Sequence, residues 1–233
     1  MTKRGILIWA AFCAFAQLGW ADGSSGESRT VRCGTFEQAY LAYSPDKNMA
    51  LPVVVVLHGA GDRPENMFEA WKDLARKQKI VLLVPDLPRK REYEDVAPAA
   101  FRCVVEDARK SFQIDPTRVY VFGNSMGGYL TYDAAMFQSE YFAAVAVHGM
   151  QLSSEYAGIV KKAKRKTPIA IYIGDHDQFS SIDDLHKTRD LLRKAGFPVH
   201  YVELINHDHN YYAISDEINA DAWKFLKEQR LPN

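Results

Sequence analysis

Val119-Tyr120-Val121-Phe122-Gly123-Asn124-Ser125-Met126-Gly127-Gly128 carries the strongest structural signal in the chain. Four apolar, strand-forming residues run without a spacer into a glycine-flanked serine, and residues 126–138 carry a helical pattern. So abrupt a passage from strand to helix needs glycines, because the backbone must pass close to itself. It also presents the serine Oγ at the edge of a sheet, ahead of a helix N-terminus that favours developing negative charge. A bare Gly-x-Ser-x-Gly is a weak signal, but between a strand and a helix it is far more specific.

Working outward, short β-branched runs at 53–57, 80–84, 119–122, 143–147, 169–173 and 199–205 alternate with amphipathic segments at 65–77, 98–112, 126–138, 183–195 and 216–229. Continuous apolar strands alternating with helices predict an α/β protein, a mostly parallel central sheet with helices on both faces. A hairpin is expected first, at residues 31–43. Residues 149–167 are too few and too basic for a large lid domain, and Lys161, Lys162, Lys164, Arg165 and Lys166 read as a solvated helix face. With 233 residues, 47% of them hydrophobic, the chain suffices for one substantial core.

The N-terminus reads separately. Lys3 and Arg4 precede an apolar run to about Leu18, and Gly19-Trp20-Ala21 places small residues as a signal-peptidase site requires. The run is shorter than the ~20 apolar residues of a spanning helix. The expectation is a signal peptide over 1–21, a disordered, small and polar lead-in over 22–29, and a single catalytic domain over 30–233. The product would be exported, periplasmic or secreted, with no stable membrane span after cleavage. Without Lys3 and Arg4 the chain holds 27 basic and 29 acidic residues, so bulk charge attracts neither nucleic acid nor an anionic membrane. Cys33 and Cys103 would remain, either as a disulfide or as two separately buried thiols.

Chemistry in such sheets sits past the carboxyl ends of the strands. Ser125 needs a base, and the base an orienting acid. In this architecture they follow in the order serine, acid, histidine. The run 169–173 ends in Gly174-Asp175-His176-Asp177, where Asp177 is taken as the acid and Asp175 as the alternative, one of the two serving the turn. The run 199–205 leads into Asn206-His207-Asp208-His209, and residues two apart in an extended segment point the same way. His209 is taken as the base, with His207 the alternative. Oxyanion donors are expected from the amides of Met126 and Ala60, the latter in the His58-Gly59-Ala60-Gly61 loop. His58, Tyr129, Phe179 and Tyr211, with Tyr212, are the candidate substrate contacts. His148 is read as a packed or surface residue.

Leu57-His58-Gly59-Ala60-Gly61, Ile114-Asp115-Pro116-Thr117-Arg118-Val119-Tyr120 and the Ser125 turn together resemble the α/β-hydrolase-fold esterases, specifically their polyhydroxybutyrate depolymerase-like and feruloyl-esterase-like branch. The resemblance spans roughly residues 58–212. It implies a serine esterase without cofactor or metal, acting through Ser125, Asp177 and His209 on a small-molecule or polymer-derived ester. Two departures are the doubled histidine and Phe179, which stands where a small or valine-like residue is expected. Peptidase and thioesterase chemistry share the same acyl-enzyme, and a catalytically silent binding module is the alternative from another class. A zinc hydrolase would leave the serine turn unexplained. The first strand-to-helix turn lacks the third glycine of a dinucleotide-binding loop.

Overall fold

The computed structural model describes residues 26–87, 99–153 and 155–232. The signal-peptide expectation lies outside them. Eight strands form one sheet: β1 (Glu27–Cys33), β2 (Phe36–Tyr43), β3 (Leu51–Leu57), β4 (Val81–Pro85), β5 (Ile114–Asn124), β6 (Ala144–His148), β7 (Ile169–Gly174) and β8 (Val199–Leu204). Their order is β1-β2-β4-β3-β5-β6-β7-β8, antiparallel at β1/β2 and β2/β4 and parallel elsewhere. The helices are α1 (Pro64–Gln78), α2 (Ala99–Ala108), α3 (Met126–Phe137), α4 (Tyr156–Lys162), α5 (Ile182–Lys194) and α6 (Ser215–Leu226).

Strand alternation sorts the core into two layers. Val53, Val55 and Leu57 face α2, α3, α4 and α5, whereas Val54 and Val56 face α1 and α6. Because both faces are covered, β3 is buried at every position and reads as an unbroken apolar run. In α1, Met67, Phe68, Trp71 and Ala75 recur at helical spacing and form its buried stripe. Among the described residues no helix is long and apolar enough to cross a membrane.

Two sequence expectations need correction. The lead-in does not extend to residue 29: β1 starts at Glu27 and pairs Glu27, Ser28 and Arg29 with Ala42, Leu41 and Tyr40. An edge strand takes its pairing from backbone groups and tolerates exposed charge, here Glu27 between Arg29 and Lys47. The helix expected over 98–112 ends early, at Ala108, where Lys110 and Ser111 close tighter turns. The basic stretch does hold a short helix, α4, but it buries Tyr156 and Val160.

Cys33 and Cys103 are joined, tying the first hairpin to α2 across 70 residues of chain. Closing a loop of that length removes about 4 kcal/mol of conformational freedom from the unfolded state. The Cys33→Ser/Cys103→Ser variant should therefore lose up to about 4 kcal/mol of unfolding free energy, read from urea denaturation, and dithiothreitol should destabilise wild type but not the variant.

Candidate active site

The sheet order makes the site. β3 leads outward to β4, and β5 returns to the other side of β3, so the loops after β3 and β5 diverge and leave a crevice between them. Ser125 follows β5 and occupies this switch point with φ 53° and ψ −120°, a conformation that side chains rarely adopt and that costs on the order of 1–3 kcal/mol. The turn is held by the Ser125 amide donating to the His148 carbonyl at 2.9 Å and by Gly128 donating to the Ser125 carbonyl at 2.8 Å. A Cβ on Gly127 would stand 2.3 Å from the Leu57 carbonyl oxygen, so only glycine lets the start of α3 pass the end of β3.

Ser125, His209 and Asp177 come together in one relay. The Ser125 hydroxyl donates to His209 Nε2 at 2.8 Å, and His209 Nδ1–H donates to Asp177 Oδ2 at 2.7 Å. Asp177 Oδ1 accepts from the amides of Phe179 (2.8 Å) and Ser180 (2.9 Å). Burial of the Asp177 carboxyl opposes ionisation, but the bonds from His209 and the two amides outweigh it and hold the group below the usual carboxylate range.

The alternatives occupy other posts. His207 and His209 do not share a direction: the His209 ring lines the cavity and meets Ser125, whereas His207 does not reach the cavity. His207 points inward to His148, at 3.2 Å between their Nε2 atoms. Asp175 accepts from the His207 amide at 3.2 Å, while the His176 amide donates to the His207 carbonyl at 2.9 Å, zipping the acid and base loops together. Because His207 and His209 diverge, they are no chelate; among the described residues no group of three or more His, Cys, Asp or Glu is arranged to hold a metal ion.

Ser125, Ala60, Asn124, Phe179, His209 and Tyr212 line an open cavity of about 530 Å³. Phe179 is 72% exposed, its ring centroid 4.7 Å from that of His209. Tyr212 bonds to Asp62 across the rim. Three expected substrate contacts are corrected. His58 is fully buried: its Nε2 accepts from the Leu87 amide at 2.9 Å and its Nδ1–H donates to the Gly59 carbonyl at 2.9 Å, so it braces the loop carrying Ala60. Tyr129 packs edge-on against Tyr156 outside the cavity. Tyr211 borders the cavity, but its ring is in the core, with the hydroxyl donating to Asn219 at 2.6 Å. His148, read from sequence as a packed or surface residue, is buried among polar partners: its Nδ1–H donates to Asn124 Oδ1 at 2.8 Å. The paired register of Asn124 and His148 on β5 and β6 sets that contact, and no local motif signals it.

The fold is that of the α/β-hydrolases, and the family match makes the chain a carboxylic ester hydrolase. The chain belongs to the Dienelactone hydrolase family, whose model matches residues 38–225. No curated protein matches it. Among solved structures it is similar to a thermostable esterase at 20% identity and TM-score 0.72, covering 88% of this chain and 63% of that one. It is also similar to an S-formylglutathione hydrolase from Agrobacterium tumefaciens at 20% identity and TM-score 0.70, covering 88% and 95%. A ferulic acid esterase matches at 14% identity and TM-score 0.67, covering 86% and 97%. At these identities the structural matches speak for the fold alone. This chain spans less than two thirds of the thermostable esterase's length.

Burial, with the neighbouring imidazoles of His207 and His209, pushes His148 from the ordinary 6.5 down to about 3. Burial pushes His207 down as well, against the opposing pull of Asp208, Asp177 and Asp175. Below pH 6.5 the unfolded chain then binds protons that the folded chain refuses. Stability is thus whole above about 6.5 and declines as pH falls toward 3, by up to about 1.4 kcal/mol per pH unit for His148. Urea midpoints should fall between pH 6.5 and 4.5 in wild type and fall less steeply in His148→Phe.

Proposed function

We propose that the protein is an exported serine esterase working through an acyl-enzyme, with Ser125 as nucleophile, His209 as base and Asp177 as orienting acid. The observation that carries the reading is the unbroken relay from Ser125 through His209 to Asp177, opening on the cavity. With Nδ1–H donated to Asp177, the lone pair of His209 Nε2 faces the Ser125 hydroxyl and takes its proton as Oγ attacks the ester carbonyl. The amides of Met126, first in α3, and of Ala60 stabilise the oxyanion. His209 then protonates the departing alcohol, and water repeats the sequence on the acyl-enzyme. Export is supported by the signal-like residues 1–21 and agrees with the Cys33–Cys103 disulfide.

For substrate, the reading is an aryl ester of the feruloyl type, with hydroxyalkanoate esters second. The exposed Phe179 ring beside His209 and the Tyr212 ring on the rim offer an aromatic surface next to the reacting atoms. The motif resemblance to feruloyl-esterase-like proteins leans the same way.

Ser125→Ala and His209→Ala should each lower kcat for p-nitrophenyl acetate by at least about a thousandfold, and Ser125→Ala should abolish fluorophosphonate labelling. Near-normal turnover by folded Ser125→Ala would sink the mechanism. In a panel of acetyl, long-acyl, feruloyl and 3-hydroxybutyryl esters, kcat/KM should be highest for feruloyl, and Phe179→Ala should lower that value about tenfold while leaving acetyl esters within twofold. A panel led by long-acyl esters would refute the aryl reading. N-terminal sequencing of protein recovered outside the cytoplasm should begin near Asp22; an intact Met1 there would refute cleavage.

A further inference from the structure

His148 touches none of the atoms that would meet substrate, yet three of its groups bind the machinery around them. Its carbonyl accepts from the Ser125 amide at 2.9 Å, holding the strained turn. Its Nδ1–H donates to Asn124 Oδ1 at 2.8 Å, on the residue just before the serine. That bond leaves Nε2 as an acceptor, and the His207 Nε2–H fills it at 3.2 Å. His207 in turn lies two residues from His209, on the loop that the Asp175 carboxylate also grips.

The surroundings make this link hard to replace. The His148 ring is fully buried, with the rings of His207, His209 and Tyr211 centred 5.3, 6.3 and 5.7 Å away. Gly149 follows at φ +63°, and a Cβ there would stand 2.9 Å from His209 Cε1, so the same segment also abuts the base. Water has no access to substitute for a lost ring nitrogen, and a buried donor or acceptor without a partner is destabilised.

We propose that His148 is a positioning residue: it locks the Ser125 turn to the base-bearing loop by joining Asn124 to His207, and so sets the distance between nucleophile and base. The proposal rests on the triad reading above. One proton fits between the two facing Nε2 atoms, so the pair works as one donor and one acceptor. His209 is left as the histidine of this cluster whose Nε2 faces the serine. A misplacement of about 1 Å between reacting groups lowers rates by about a hundredfold.

The test compares wild type, His148→Phe and His148→Gln with p-nitrophenyl acetate, expressing kcat per active site titrated with a fluorophosphonate. A purely structural role would reduce the number of titratable sites without changing the turnover of each. The positioning role predicts kcat per titrated site at least about tenfold lower in His148→Phe, with KM within twofold, and a smaller loss in His148→Gln, whose amide keeps a donor and an acceptor. The His148→Phe/His207→Phe double variant should be no slower than the worse single variant, because both break one link. Turnover per site within twofold of wild type in His148→Phe, equal losses in the Phe and Gln variants, or strictly additive losses in the double variant would overturn it. Should the variants fail to fold, nitrogen-15 NMR of histidine-labelled wild type decides: a neutral Nδ1–H tautomer at His148 at pH 7 supports the link, and an Nε2–H tautomer overturns it. If wild type does not label at Ser125, the triad falls and this proposal with it; wild type that labels beside an unimpaired His148→Phe refutes this proposal alone.

Discussion

Strand β3 lies parallel to β5 with Val53 through Leu57 opposite Val119 through Gly123, and the site depends on that pairing. It brings the carboxyl ends of two strands level, so the loop carrying Ala60 and the turn carrying Ser125 leave the sheet side by side. The approach is so close that a side chain on Gly127 would collide with the Leu57 carbonyl. A strained backbone at Ser125 persists because β5, α3 and the carbonyl of His148 hold it from three sides. In a less buried sheet, the turn would relax and the hydroxyl would lose its aim.

The second constraint is the pairing of β7 with β8. Asp177 and His209 are 32 residues apart, yet the loops after these neighbouring strands are stitched by Asp175, His176 and His207 before either reaches the cavity. Asp175, the alternative acid, therefore acts on the backbone, and His207, the alternative base, faces the interior. In each pair one member holds the loops together and the other joins the hydrogen-bonded line to Ser125.

Charge in the site follows burial. The Asp177 side chain is wholly removed from solvent but receives three hydrogen bonds, enough to keep it ionised. At His148, burial and the neighbouring imidazoles outweigh the pull of Asp177 and Asp208, and the ring is held neutral. A negative charge thus sits on the far side of His209 from Ser125, where it would stabilise the imidazolium that the proposed proton transfer creates.

Much of this was legible in the sequence. Short unbroken apolar runs announce strands buried on both faces, and glycines at 123 and 127 around a serine announce a turn that bulkier residues would block. Order along the chain then narrowed acid and base to two residues each. The different placement of the two members of each pair belonged to tertiary structure, because it follows from which strands lie adjacent and which partners their loops meet. The same holds for His58, Tyr129 and His148, whose surroundings come from elements distant in sequence: Leu87 beyond α1, Tyr156 on α4, and Asn124 set opposite by strand register. Local periodicity encodes which face of an element is buried, and so the class of fold and the serine turn could be read from the residues alone. Which polar groups meet in the buried space depends on packing between elements, and only the tertiary structure decided that.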